Sequence, residues 1–159
     1  MKKIPLTQGQ FALVDDEDFE YLNQFKWYAQ KDYDTFYANR KIRVEQGQKT
    51  AVMHRVILDV TDHNIKVDHI DHNGLNNQKI NLRLASSSQN SMNRKSTKNT
   101  SSKYKGVTYR RLNKWEASIY LSKKYKYIGM FSTEIEAAKA YDEMAKLHFG
   151  EFACLNFKD

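Results

Sequence analysis

Val67-Asp68-His69-Ile70-Asp71-His72-Asn73-Gly74-Leu75-Asn76-Asn77-Gln78-Lys79-Ile80-Asn81-Leu82-Arg83 is the densest polar stretch of this 159-residue chain. Val67 and Ile70 mark the edge of a strand, and Asn73-Gly74 makes a turn. Ile80 to Leu84 supplies a second strand. Ser86-Ser87-Ser88-Gln89 then fits a capping box, which places Asn90 in the first turn of a helix. The order is strand, loop, strand, helix, with Asp68 and His69 at the end of the first strand.

Those residue types point to one chemistry. Asp68 and Asn90 offer hard oxygen donors, which suit Mg²⁺ or Mn²⁺ rather than zinc. One carboxylate and one amide hold such an ion weakly and leave positions for phosphate oxygens and water. The ion then stabilises charge on a phosphorane and its departing 3′ oxygen. His69 has an unperturbed pKa of about 6.5, suited to taking a proton from attacking water. Its ring needs a partner to fix its direction, and the amide oxygen of Asn81 serves either directly or by holding the loop. Divalent metal and general base together specify phosphodiester hydrolysis.

The plainer readings are weighed beside it. Asp71, Asn73, Asn76 and Asn77 read as turn residues, whose side chains bond their own backbone. A calcium loop is excluded, because counting from Asp68 or Asp71 puts position 12 on Lys79 or Leu82 rather than Glu. A zinc site from His63, His69 and His72 lacks helical i, i+4 spacing. His54, beside Arg55, reads as a structural or phosphate-side residue rather than a second base.

Outward from this stretch the composition changes. The chain has 26 Lys+Arg against 19 Asp+Glu, a formal net charge of +7. From Arg83 to Lys126 there are twelve basic residues and one acid, Glu116, so that segment carries +11 and the rest −4. Such a block attracts a polyanion, and nucleic acid is the commonest. Cys154 is the single cysteine, which excludes a disulfide framework and a Cys-based zinc ribbon. No apolar run approaches the roughly 18 residues of a membrane span. The first residues lack the apolar stretch of a secretory signal. A cytoplasmic, DNA-associated protein is expected, in a bacterial or phage-infected cell, with no membrane partner.

Ser91 to Lys103 is polar, small and basic, and reads as a linker that lies along phosphates. Beyond it, Val107 to Arg111, Trp115 to Leu121 and about Tyr125 to Phe131 read as strands. Trp115, Ala117 and Ile119 share one face of the second. Thr133-Glu134-Ile135-Glu136 is a second capping box. Ala137, Ala138, Tyr141, Met144, Ala145 and His148 form a helical stripe that ends before Gly150. Three antiparallel strands are thus backed by one helix. Before residue 50, Asp15-Asp16-Glu17-Asp18 opens a short helix through Phe19, Leu22 and Phe25. Trp27-Tyr28-Ala29 and Phe36-Tyr37-Ala38 read as short strands, whereas Val52 to Val60 fits helix or strand equally.

Two resemblances attach to these residues. Tyr104-Lys105-Gly106-Val107, Lys114-Trp115-x-Ala117-x-Ile119, Ile128-Gly129-x-Phe131, Glu136-Ala137-Ala138-x-Ala140-Tyr141-Asp142 and Leu155-Asn156-Phe157 resemble the Apetala-2/ethylene-response-factor DNA-binding domain. The resemblance implies a three-stranded sheet lying in the major groove of double-stranded DNA. The strand positions that hold Arg and Trp in that family carry Thr108, Leu112, Tyr120, Tyr125 and Tyr127 here, while Arg110 is retained. Met53-His54-Arg55 with Val67-Asp68-His69-x-Asp71-x-Asn73-x-x-Asn76-Asn77-x-x-x-Asn81-Leu82-Arg83 resembles the HNH nucleases of phage and mobile introns, in their homing branch. That resemblance implies Asp68 as metal ligand, His69 as general base and Asn81 as the Asn that orients it. Asn90, nine positions later, stands where many such enzymes have a His ligand.

The expectation is therefore an α+β chain of two small domains. Residues 1–93 form a ββα-metal HNH nuclease domain and 94–103 a basic linker. Residues 104–159 form a three-stranded antiparallel sheet packed on one helix. The expected function is a homing-type DNA endonuclease that uses one Mg²⁺ or Mn²⁺ and acts as a monomer. DNA contacts are expected from Arg94, Lys95, Lys98, Lys103, Lys105, Thr108, Arg110, Lys114, Tyr120, Lys124, Tyr125 and Tyr127. The rival is a non-catalytic sequence-specific regulator. A third reading is an RNA-binding accessory protein that stacks bases on the tyrosines.

Overall fold

A computed structural model describes residues 1–96 and 100–157. The expected contact Lys98 lies outside the described residues. The chain divides into two compact units, Met1–Asn90 and Ser91–Asp159.

In the first unit, β1 (Lys2–Pro5) and β2 (Phe11–Val14) pair antiparallel, and α1 (Asp16–Leu22) follows. Three acids fill the first turn of α1, where its dipole favours them. The expected end-residue Asp15 does not cap that helix with its side chain. Its carboxylate instead accepts from the Lys79 backbone N–H at 2.8 Å and from Gln78 Nε2 at 3.2 Å. β3 (Tyr28–Asp32), β4 (Thr35–Val44) and β5 (Gly47–Val52) form an antiparallel meander. The undecided stretch after it resolves as helix α2 (Met53–Ile57). Ile4, Ala12, Val14, Leu22, Trp27, Ala38, Met53 and Leu75 are buried together as the core. Trp27 closes it by donating its indole N–H to Leu22 O at 2.8 Å. The Arg40 guanidinium stacks 3.6 Å over the Phe25 ring, so the aliphatic-to-polar edge of the core is sealed by a cation–π contact.

β6 (Lys66–His69) pairs antiparallel with β7 (Leu82–Ala85), and α3 (Ser87–Met92) follows. The capping box is present: Gln89 N–H donates to Ser86 Oγ at 3.2 Å, and Gln89 Oε1 accepts from Ser86 N–H at 2.8 Å. The loop between the strands is stitched to β2. Leu13 N–H donates to Leu75 O, and Asn77 N–H to Leu13 O, both at 2.8 Å. Gly74 lets that loop touch β4. A Cβ there would stand 2.5 Å from Phe36 O and 2.7 Å from the Tyr37 ring, and only glycine allows the approach.

In the second unit, β8 (Val107–Arg110), β9 (Lys114–Leu121) and β10 (Lys124–Phe131) form an antiparallel sheet in the order β10-β9-β8. β9 begins at Lys114, one residue before the expected Trp115, and left-handed Leu112 and Asn113 make the turn. Helix α4 (Glu134–Phe149) carries the expected capping box in full. Its alanines Ala137, Ala138 and Ala145 are fully buried, with Val107, Ala117, Ile119 and Tyr141 around them. The stripe ends differently from expectation: His148 is exposed, and Phe149 occupies the buried position. Asp142 is buried, and its carboxylate accepts from Asn156 N–H, Asn156 Nδ2 and Phe157 N–H at 2.9–3.0 Å. This clasp pins the chain after α4 to the start of the sheet, because Asn156 Oδ1 also accepts from Lys105 N–H. The end of the expected linker belongs to this unit. Ser102 is buried with its hydroxyl on Glu134 at 2.7 Å, and Ser101 Oγ accepts from Tyr109 N–H at 2.9 Å.

Candidate functional site

Asp68 and His69 sit on the last two residues of β6, 6% and 5% exposed. A buried carboxylate is costly unless paired. Arg83, opposite Asp68 across the ladder, supplies the pair: Nε lies 2.8 Å and Nη2 2.7 Å from Asp68 Oδ2. Both contacts fall on one carboxylate oxygen, so the ion pair itself does not use Oδ1.

The loop after His69 is held by Asn81. Its Oδ1 accepts from Asp71 N–H at 3.0 Å, and its Nδ2 donates to Asp71 Oδ1 at 2.9 Å and Asn76 O at 2.8 Å. Asp71 in turn accepts from Asn73 N–H and Asn76 Nδ2, both at 2.8 Å. Partial burial raises the Asp71 pKa. The hydrogen bonds from Asn76, Asn73 and Asn81 outweigh it and leave the carboxyl below its ordinary range. Asp71, Asn73 and Asn76 thus make the local turns that their residue types suggest. Asn77 does not. It is fully buried, and its Oδ1 lies 3.4 Å from His69 Nε2.

Aromatic rings enclose His69. The His54 ring, carried on α2, meets it edge-on at 4.9 Å between centroids. Tyr37 of β4 lies 5.8 Å from His69 and 5.7 Å from His54. Burial pushes His69 below its ordinary pKa, against the opposing pull of Asn77, Asp71 and Asp68. Burial first, then His69 and Arg55, lower His54 to about 3. Both rings are neutral at pH 7. A neutral, buried imidazole beside a carboxylate can accept a proton.

Arg55 is committed to structure. Its Nη1 and Nη2 donate to Ile65 O and Asp62 O, both at 2.8 Å, and so clamp the approach to β6. Asn90 is half-buried in α3, its N–H closing the turn on Ser86 O at 2.9 Å. Among the described residues, no three His, Cys, Asp or Glu side chains gather as a metal cluster. The hard oxygen donors expected of the site are one carboxylate, Asp68, and one amide, Asn90, residue types whose chemistry suits Mg²⁺ or Mn²⁺.

The second unit presents a different surface. Thr108 and Arg110 of β8, Lys114, Glu116, Ser118 and Tyr120 of β9, and Tyr125, Tyr127 and Met130 of β10 alternate onto the sheet face away from α4. Tyr120, Tyr125 and Tyr127 are exposed, and Tyr120 meets Tyr125 edge-on at 4.9 Å. Arg110 is also exposed, but its Nε and Nη2 bond Glu116 at 2.9 and 3.0 Å. Arg94, Lys95, Lys103, Lys114 and Lys124 are exposed, but Lys124 pairs with Leu121 and so falls on the α4 side of the sheet rather than on this face. Lys105 departs from the expectation of a phosphate contact. It is half-buried, burial lowers its pKa, and its ammonium donates to Met92 O at 2.5 Å.

Sequence reading missed Asn77 and Tyr37. The Asn76-Asn77 doublet was visible, but only the bond from Leu13 turns the second of the two inward.

The family model described as AP2 domain matches residues 102–150. The chain is 38% identical over 150 residues to uncharacterized HNH endonuclease L560 of Acanthamoeba polyphaga mimivirus, covering 94% of this chain and 76% of that protein. It is 48% identical over 60 residues to APETALA2-like protein 2 of Oryza sativa subsp. indica, covering 36% of this chain and 14% of that protein. Over 72 residues it is 40% identical to the AP2/ERF and B3 domain-containing transcription factor RAV1 of Arabidopsis thaliana, covering 45% of this chain and 21% of that protein. Among the described residues, no helix is long and apolar enough to cross a membrane.

Proposed function

The chain belongs to the HNH endonuclease family and carries an AP2 domain, and from that premise we propose that it is a metal-dependent DNA endonuclease of the homing type. The observation that carries the reading is His69: a buried ring, depressed in pKa, next in sequence to a buried carboxylate. His69 takes the proton of the water that attacks the scissile phosphorus, and the 3′ oxygen departs from the opposite side. Asp68 and Asn90 hold the divalent ion. When bound, that ion supplies positive charge to the phosphate and the departing oxygen. Arg83 keeps the Asp68 carboxylate in one orientation, and Asn81 keeps the following loop closed.

The AP2 sheet holds the duplex with its basic rim, while Arg110, Thr108, Tyr120, Tyr125 and Tyr127 face the bases. For about six phosphate contacts, log K falls with a slope near −5 against log salt. The protein works as a monomer at a DNA-associated location. Incubation with supercoiled plasmid and Mg²⁺, with and without chelator, tests the reading. Nicked or linear product only with metal is expected. Salt-sensitive binding without cleavage would make the protein a regulator instead.

A further inference from the structure

We propose that Asn77, not Asn81, is the positioning residue of the His69 ring: its side-chain oxygen accepts the Nε2–H of His69 and fixes the neutral imidazole with Nδ1 as the base nitrogen. This deepens the reading of His69 as general base and rests on it.

Burial makes the first argument. Among the described residues, Asn77 is the one polar member of the largest fully buried side chains. An amide is placed in such surroundings at a cost unless it makes a hydrogen bond. The turn chemistry around it does not require it. Asp71, Asn73, Asn76 and Asn81 bond one another and the loop backbone. The Asn77 backbone N–H is used elsewhere, on Leu13 O. The polar contact given for its side chain runs from Oδ1 to His69 Nε2, while Nδ2 has no partner among the described residues.

Chemistry makes the second. An amide oxygen only accepts, so the ring nitrogen facing it carries the hydrogen. The neutral tautomer then has its lone pair on Nδ1. A ring nitrogen turned into a buried amide cannot also meet water and phosphate, so Nε2 is excluded as the base.

Confinement makes the third. His54 stands edge-on to the ring at 4.9 Å and Tyr37 at 5.8 Å, which limits rotation about the Cβ–Cγ bond. Asn81 makes its three bonds to Asp71 and Asn76 instead. One asparagine closes the loop and the other aims the ring.

The experiment is long-range ¹H–¹⁵N correlation NMR of the full-length, metal-free protein labelled on histidine nitrogens. It reports which nitrogen of His69 carries the proton without any turnover. The expected result is the Nε2–H form. A His69 protonated on Nδ1 overturns the proposal. Asn77→Leu should populate both tautomers and slow plasmid cleavage by about 10–100-fold at unchanged KM, the loss usual for the partner of a site imidazole. Asn77→Asp keeps an acceptor oxygen and should retain the Nε2–H form. An Asn77→Leu protein with the wild-type tautomer and rate overturns the assignment. The outcome is separable from that of the parent reading. Full cleavage by His69→Ala removes the nuclease role of His69, whereas the tautomer measurement decides Asn77 by itself.

Discussion

The two units of this chain bear functional side chains in opposite states. Around β6 and β7, buried Asp68, His69, Asn77 and Asn81 are tied into a network, Asp68 to Arg83, His69 to Asn77, and Asn81 to Asp71 and Asn76. On the sheet of the second unit Tyr120, Tyr125 and Tyr127 stand in solvent, and Arg110, also exposed, is held by Glu116. Under the proposed function, the contrast follows from what each must do. A proton acceptor has to be held to within a fraction of an ångström before the substrate arrives, and only a packed, hydrogen-bonded shell can do that. A surface that reads a duplex has to leave its donors and rings available to partners that are not yet there. Substitution should therefore act through rate and stability in the first unit, and through affinity in the second.

The sharpest way to break this comparison is His69→Ala. Cleavage should fall by about 10²–10⁴-fold with DNA affinity unchanged, measured by plasmid nicking and by binding in chelator. An equal loss of affinity would put His69 in the binding surface. Next is Arg83→Leu, which strands the Asp68 carboxylate. Breaking a buried pair costs about 3–5 kcal/mol, so the first unit should unfold at markedly lower denaturant. Trp27 fluorescence in a Trp115→Phe background isolates that unit, and an unshifted midpoint would mean that the pair is idle.

A smaller effect is expected from the exposed sheet. Arg110→Ala should cost about 1–3 kcal/mol of site-specific binding and relax one base position, with the stability of the second unit unaltered. Equal weakening on all sequences would make Arg110 a phosphate contact. The finest comparison uses pH. The folded chain keeps His54 neutral down to about pH 3 and His69 neutral below its ordinary value, whereas an unfolded chain protonates both near pH 6.5. Stability from these rings is complete above about pH 6.5 and is lost as pH falls below it. Between pH 4 and 6, His54→Phe should flatten the pH dependence of unfolding free energy by up to about 1.4 kcal/mol per pH unit. Matching slopes in the two proteins would place His54 in water.

Legibility in the sequence divided along range of contact. Both capping boxes, the order strand–loop–strand–helix and the three strands of the second unit follow from residues within a few positions of each other, and each is present. The β1–β2 pair was not readable, since its alternation is short and interrupted by Pro5. Val52 to Val60 stayed ambiguous because helix α2 is little more than one turn, too short to show a helical period, at the end of a strand. Asn77 looked like its neighbours Asn73 and Asn76. Its inward turn comes from Leu13, and Asp15 holds the residues just beyond. Likewise Lys105 looked like any other lysine in a basic block, until Met92 O claimed its ammonium.

The stitch from Asp15 to Lys79 joins residues 64 apart in the chain. Closing a loop of that length costs chain entropy, and non-local contacts of this kind slow folding. Asn77 is held beside it by Leu13 O, so the surroundings of His69 are assembled from segments that lie far apart in the sequence.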